Sequence, residues 1–288
     1  MLATINTILI VGATSGLGEQ FARRLYSLAP SFPSNGDIII CTDMYPRTGK
    51  KVIIAGRRED RLASLKAELG SNTEYYQWDI TDFATLTSRA ARILEEHSDI
   101  NSVFLVAGVG YMFDFLDVSA STDATTITEC STNMTAQMLL SRIFVAHLSS
   151  VAANGQPATF LLMGAGFGYV PAGVFPVYSS TKAAIHAFAL ALRQQVNKSD
   201  DQNIKNNLSI VEVVPPFVDT DFTKTFKTPR GMQPMPLDQY MDETIAQLEI
   251  VGADGKAIKE AAVGSAKMRA DLWRNSIGKH MNDIGLDC

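Results

Sequence analysis

Tyr178 and Lys182 stand four residues apart in Tyr178-Ser179-Ser180-Thr181-Lys182. On a helix that spacing puts both side chains on one face. A phenol with an ordinary pKa of about 10 is a poor acid–base group at neutral pH. An ammonium beside it favours the phenolate, so Lys182 is expected to lower the pKa of Tyr178. Such a pair can give or take the proton of an alcohol.

A second cluster with chemical meaning lies near the start of the chain, Gly12-Ala13-Thr14-Ser15-Gly16-Leu17-Gly18. It follows an apolar run, Ile5–Val11, and precedes an amphipathic stretch. Glycines at a strand-to-helix turn let the backbone approach a pyrophosphate, which then sits at the positive end of the helix.

Both clusters need a scaffold, and the hydrophobic pattern supplies one. Apolar runs at Ile5–Val11, Lys51–Ala55, Tyr75–Trp78, Ser102–Val106, Ala158–Met163 and Leu208–Val214 lack strict alternation. That is the pattern of strands covered on both faces. Between them lie helical patterns at Leu17–Leu28, Glu59–Leu69, Asp82–His97, Thr122–Ser150 and Tyr178–Asn197. In the fourth, Ile127, Cys130, Met134, Met138, Val145 and Leu148 are expected to form its buried stripe. Strand–helix alternation of this kind predicts an α/β fold, a doubly wound parallel sheet in one Rossmann-type domain. Further helices are expected at Leu237–Ile250 and from Val263 to about Met281.

Composition narrows the function classes. The 288 residues are 46 % hydrophobic and 19 % charged, which excludes a disordered tail, a collagen-like fibre or a disulfide scaffold. The formal charge is −5 and no basic run occurs, so neither nucleic acid nor an anionic membrane is expected as partner. Cys41, Cys130 and Cys288 are scattered, without CxxC or paired-His spacing, so no metal site is expected and a reducing, cytoplasmic setting is. The N-terminal apolar run lacks a basic start and ends in the glycine turn, which reads as a strand and not a targeting segment. No apolar run approaches the roughly 18 residues that a membrane span needs.

The spacing GxxxGxG together with Tyr178-x-x-x-Lys182 resembles the short-chain dehydrogenase/reductase family over residues 5 to about 225. The resemblance implies that Gly12, Thr14, Ser15, Gly16, Leu17 and Gly18 hold a nicotinamide dinucleotide. Lys51–Arg58 then reads as the second strand and its exit. Gly56 stands where NAD-preferring members carry an acid, and Arg57 and Arg58 follow, as in members that take NADP(H). A guanidinium suits a 2′-phosphate. Asp79 and Ile80 match the pair that contacts adenine. Ala107 and Gly108 match the loop after the fourth strand, although Val106 replaces the usual Asn. Pro215, Val218 and Thr220 match the segment that holds the nicotinamide carboxamide. Lys182 is implied to bind the nicotinamide ribose, and Asn133 to support a relay water.

Two departures stand out. Gly12 to Arg57 spans 45 positions, where the family it resembles spends roughly 20–25. The surplus lies at about residues 30–50, as a surface loop or as translated intron sequence. A rival reading makes Asp37–Asp43 the second strand, with Asp43 as an NAD-type ribose acceptor. The second departure concerns the catalytic Ser, which the family places 13 residues before the Tyr. Here that position is Ala165, and its neighbour is Gly164. Losing one such oxyanion donor typically costs a hundred- to a thousandfold in rate.

On the substrate side, a flexible lid over the site is expected at about residues 216–250. Phe222, Phe226, Met232, Met235 and Met241, with Tyr111, Met112, Phe113 and Phe115 opposite, suggest an apolar cavity. Ala165, Phe167, Phe217 and Phe222 are the expected substrate contacts. The reading is an NADP(H)-dependent oxidoreductase of a small to medium apolar carbonyl or alcohol, with Tyr178 as acid/base beside Lys182 and Asn133. Because the Ser is replaced, a non-redox enzyme (isomerase, dehydratase or cyclase) and a weakly active NADP(H)-binding protein stay open. By the resemblance, a homodimer or homotetramer is expected.

Overall fold

A computed structural model describes residues 1–28, 50–117, 119, 122–225, 233–252 and 256–286. Among the described residues seven strands form one parallel sheet: β1 (Thr7–Val11), β2 (Lys51–Gly56), β3 (Thr73–Gln77), β4 (Ser102–Leu105), β5 (Ala158–Met163), β6 (Leu208–Val214) and β7 (Glu260–Ala262). Their order is β3-β2-β1-β4-β5-β6-β7. The direction of winding reverses between β1 and β4, which opens a crevice at their carboxyl ends. The expected doubly wound, Rossmann-type fold is what the chain adopts.

The unbroken apolar strands follow from having two covered faces. Ile8 and Ile10 point into one cluster, with Val52, Ile54 and Phe104, beneath α1 (Gly16–Ser27) and α2 (Glu59–Leu69). Leu9 and Val11 point into the other, with Ile53, Val103 and Leu105. That second cluster is closed by α3 (Leu86–Glu96), by α5 (Ala136–Ala153) and by α7 (Pro176–Asn197).

Lys51–Gly56 occupies the slot beside β1, with Thr7 opposite Lys51 and Val11 opposite Ala55, and β3 pairs on its other edge. This overturns the rival assignment of the second strand to Asp37–Asp43. Asp43 and the surplus segment, except for its last residue Lys50, lie outside the described residues.

Three other expectations shift. Of the expected stripe, Leu148 is fully buried as read, but Cys130, Met134, Met138 and Val145 are only half-buried. Ile127 is exposed, and the face on the sheet is Ala136, Leu140, Phe144, Leu148 and Ala152. Between α4 (Asp123–Cys130) and α5 a single π turn, Ser131–Thr135, intervenes. Its extra residue rotates everything after it. The whole stretch Asp123–Ala153 is also long and apolar enough to cross a membrane by length and composition, against the expectation that no segment would be. Packing one face of α5 on the sheet accounts for much of that apolarity. Finally, β7 was not anticipated, because three residues that include Glu260 carry no strand pattern.

The lid is corrected in part. After a short turn at Thr223–Thr225, residues 226–232, with Phe226 and Met232, fall outside the described part. Met235 then pairs with Phe217 and Asp219 through backbone bonds of 2.7 and 2.9 Å. α9 (Leu237–Glu249) follows, and its Tyr240 and Met241 are fully buried. Tyr240 meets Phe21 of α1 edge-on at 6.4 Å. This segment is core and not cover, so Met241 belongs to packing.

Candidate active site

β1 ends in a turn where Gly12 adopts φ +107°, and a Cβ there would run into the Ala107 backbone. Only glycine allows the β1 and β4 exits to lie this close. Gly18 is required by the same logic, because a Cβ on it would strike the Gly12 carbonyl. The turn is held by Gly12 and Ala13 amides donating to Ala55 at 2.8 and 3.1 Å. α1 then begins at Gly16, its N-terminus facing the crevice.

A cleft of about 200 Å³ runs over this turn. Gly12, Thr14, Ser15, Gly16, Leu17 and Gly18 line it, as do Arg57, Arg58, Asp79, Ile80, Ala107, Gly108, Pro215 and Thr220. Tyr178 and Lys182 close its far wall. Val218, also expected here, instead lines the neighbouring cavity. Trp78, Thr81, Val109, Thr132 and Met163 line the cleft without having been anticipated. Their types are ordinary core types, so only the fold identifies them.

Arg58 reaches back across the cleft and donates to Thr14 Oγ1 at 2.9 Å and Ser15 Oγ at 2.5 Å. At the end of β2 the position that could carry a carboxylate is Gly56. Asp79 accepts from the Thr81 amide and hydroxyl at 2.9 and 2.7 Å. Burial opposes its ionisation, but those bonds and nearby Arg57 outweigh it and hold the carboxyl below its usual range. A glycine cradle, a helix N-terminus and a cationic wall together fit a nicotinamide dinucleotide.

Tyr178 and Lys182 share the inner face of α7, whose Pro176 starts the helix as proline favours. Lys182 is 1 % exposed. Its Nζ donates to the Met163 carbonyl at 2.8 Å and lies 5.5 Å from the Tyr178 ring centroid. Burial lowers its pKa to about 8, against the pull of Glu212 and Glu129. Burial also raises the Tyr178 phenol, and the charge of Glu129 adds to this. The phenol is thus raised and not lowered, against the depression expected from Lys182.

Glu129 itself was not foreseen. It is fully buried on α4 and accepts from the Tyr111 amide at 3.3 Å, and its other oxygen has no partner among the described residues. Burial raises its pKa to about 7. A lone Glu in a polar helical stretch gives no sign in sequence that its helix turns it inward.

Asn133 sits in the π turn and is fully buried. Its amide both accepts from the Val109 N–H and donates to the Val109 carbonyl, each at 2.8 Å, and also donates to Thr181 Oγ1 at 3.3 Å. The side chain thus clamps the loop after β4 to α7.

Beside the cleft lies a cavity of about 290 Å³. Ala165, Phe167, Phe217 and Phe222 all line it, with Phe175 and Arg269 in addition. Tyr111, Met112, Phe113 and Phe115 do not. Phe222 packs on the Tyr178 ring at 6.0 Å between centroids. Ala165 presents a methyl here, and the nearby Thr223 hydroxyl is already committed to the Val218 and Thr220 carbonyls at 2.8 and 2.9 Å. Among the described residues no cluster of three His, Cys, Asp or Glu could hold a metal.

Comparison with known proteins agrees with this fold. Residues 40–231 match the short chain dehydrogenase family. The chain is 30 % identical over 235 residues to the uncharacterized oxidoreductase DltE of Bacillus subtilis (strain 168), covering 81 % of this chain and 79 % of that protein. It is 26 % identical over 227 residues to a serine 3-dehydrogenase of Agrobacterium fabrum (strain C58 / ATCC 33970), covering 76 % and 74 %. Its fold superposes with a TM-score of 0.68 on a short-chain dehydrogenase from Sphingobium yanoikuyae in complex with NADPH, at 22 % identity, covering 97 % and 96 %.

Proposed function

Because this chain belongs to the short-chain dehydrogenase family, we propose that it is an NADP(H)-dependent oxidoreductase acting on a small to medium apolar carbonyl or alcohol. One observation carries the reading: Tyr178 lines both the dinucleotide cleft and the apolar cavity. A group at that junction can touch the oxygen of a substrate in the cavity while facing the cofactor. When bound, the cofactor supplies or accepts the hydride.

The protein's own contribution is protonic and geometric. In the reductive direction the Tyr178 hydroxyl donates its proton to the substrate oxygen. Its raised pKa keeps it protonated at neutral pH and ready for that role. The Lys182 ammonium stands behind it and favours the phenolate left after transfer. Asn133 fixes the loop after β4 against α7, which holds the cleft open beside Gly108. Arg57 and Arg58, with no acid at position 56, favour a 2′-phosphate.

The methyl of Ala165 removes one donor from the substrate oxygen, so turnover rests on Tyr178 alone and is slow. The same methyl supports a second reading, a non-redox reaction in the same pocket, which forms product with no change in nicotinamide absorbance. The deciding experiment follows NADPH absorbance across a panel of apolar aldehydes and ketones, with Tyr178→Phe as control. NADPH consumption that vanishes in the variant is expected. Undiminished consumption in Tyr178→Phe, or product without consumption, would overturn the assignment.

A further inference from the structure

We propose that Arg269 makes the apolar cavity an anion subsite, so that the substrate is an amphipathic carboxylate whose apolar body lies among the phenylalanines. This rests on the redox reading above and narrows its apolar carbonyl or alcohol to one that also carries a carboxylate.

Arg269 is the one charged side chain among the described residues lining the cavity. Its guanidinium lies 4.8 Å from the Phe167 ring centroid, and Phe167 stacks on Phe175 at 5.8 Å. One donor, Nη1, is spent on the Val170 carbonyl at 3.2 Å. No carboxylate among the described residues pairs with it. The contrast with its own neighbourhood is informative. On α10 (Gly264–Trp273) Lys267 takes Asp271 at 2.6 Å, and Arg274 just beyond takes the same carboxylate at 2.6 Å and Glu260 at 2.7 Å. The acids of this region are all engaged elsewhere, and Arg269 is left facing the cavity.

A half-buried cation without a counter-charge carries a desolvation cost that an incoming anion removes. Burial does oppose its charge. Stacking on Phe167 holds the guanidinium plane in place, and its remaining donors form a fork that matches a carboxylate. A single cation fits one negative charge, so a carboxylate matches better than a dianionic phosphate. The chain as a whole carries −5, so anion preference cannot come from the overall field and must be local. Gln233 and Ser265 in the same wall can complete the hydrogen bonding.

The test has a binding arm and a turnover arm. With NADP bound, 3-phenylpropionate and its neutral amide are titrated by calorimetry against the native protein, Arg269→Met and Arg269→Lys. The acid should bind the native protein at least tenfold tighter than the amide. That preference should vanish in Arg269→Met, return in part in Arg269→Lys, and leave amide binding and NADPH affinity within about twofold. Equal binding of acid and amide by the native protein, or an acid preference that survives in Arg269→Met, overturns the subsite. In the turnover arm, 4-oxo-4-phenylbutyrate and its methyl ester are compared. Arg269→Met should lose about 10- to 100-fold in kcat/KM on the acid and little on the ester. If both are reduced equally, the subsite fails while the redox reading stands. If neither is reduced while acid binding still needs Arg269, the redox reading fails and the subsite stands.

Discussion

The carboxylate of Glu212 fills the space that a Cβ on Gly164 would need. Glu212 is fully buried on β6 and is not free to move aside. Its Oε2 lies 2.8 Å from His186 Nδ1 and 3.1 Å from the Tyr169 hydroxyl oxygen. Tyr169 in turn donates to Glu260 at 2.6 Å, which pairs with Arg274 at the surface. The two replaced positions of the loop after β5 therefore differ in kind. Gly164 is dictated by a buried polar network behind it, whereas Ala165 faces the cavity and could carry a hydroxyl. Ala165→Ser is expected to raise the reductase kcat about a hundredfold on a verified substrate. Gly164→Ser should instead destabilise the fold by about 1–3 kcal/mol through overpacking, read as a lowered denaturation midpoint. A Gly164→Ser protein as stable as the native one would refute the account of Glu212.

On the proposed mechanism, Lys182 should set an upper pH limit on reduction. Its pKa is lowered to about 8 by burial, so the ammonium is complete at pH 6 and lost as pH rises past 8. Tyr178, raised by burial, stays protonated throughout that window. In the free enzyme, kcat/KM for carbonyl reduction should thus be flat at lower pH and fall with one limb near pH 8. A profile that holds level to pH 10 would show that the Lys182 charge is not required.

The cationic wall of the cleft predicts cofactor choice. Arg58 contacts Thr14 and Ser15 at the mouth of the glycine turn, and Gly56 offers no acid to a free ribose. Arg58→Ala should weaken NADPH binding about 10- to 100-fold, the loss of charge-assisted bonds, and change NADH binding little. Titration with both cofactors, followed by nucleotide fluorescence, measures this. Equal weakening of the two would assign Arg58 to loop structure only.

The sequence made the cofactor side more legible than the substrate side, for a physical reason. Gly12, Gly18, Tyr178 and Lys182 are constrained by close backbone approach or by one helix face, and such constraints leave fixed spacings in the chain. Arg269 joins Ala165 and Phe222 across about a hundred positions by tertiary packing alone, and no local pattern records that. The burial phase of the long helix was misread for the same reason. Between Glu129 and Ala136 the hydrogen bonding changes for one turn, and the polar residues Glu129, Thr132 and Asn133 point inward where periodicity favoured Cys130 and Met134.

Glu129 offers the sharpest test of the site's electrostatics. Its charge raises the pKa of both Lys182 and Tyr178. Glu129→Gln removes that charge, so the Lys182 limb in the reduction profile should move to lower pH. Oxidation of an alcohol near neutral pH should quicken, because the phenolate forms more easily. Stability changes with a defined sign. The Glu129 carboxyl has its pKa raised from 4.5 to about 7 in the folded chain. Between those values the unfolded chain has released a proton that the folded chain keeps, so the native protein loses stability as pH rises from about 4.5 to 7. Glu129→Gln has no such loss. Its melting temperature relative to the native protein should therefore be higher at pH 8 than at pH 5. Thermal melts at the two pH values, with no substrate or cofactor present, decide the point. A native-to-variant difference that is the same at both would mean that Glu129 is charged in the folded chain over the whole range.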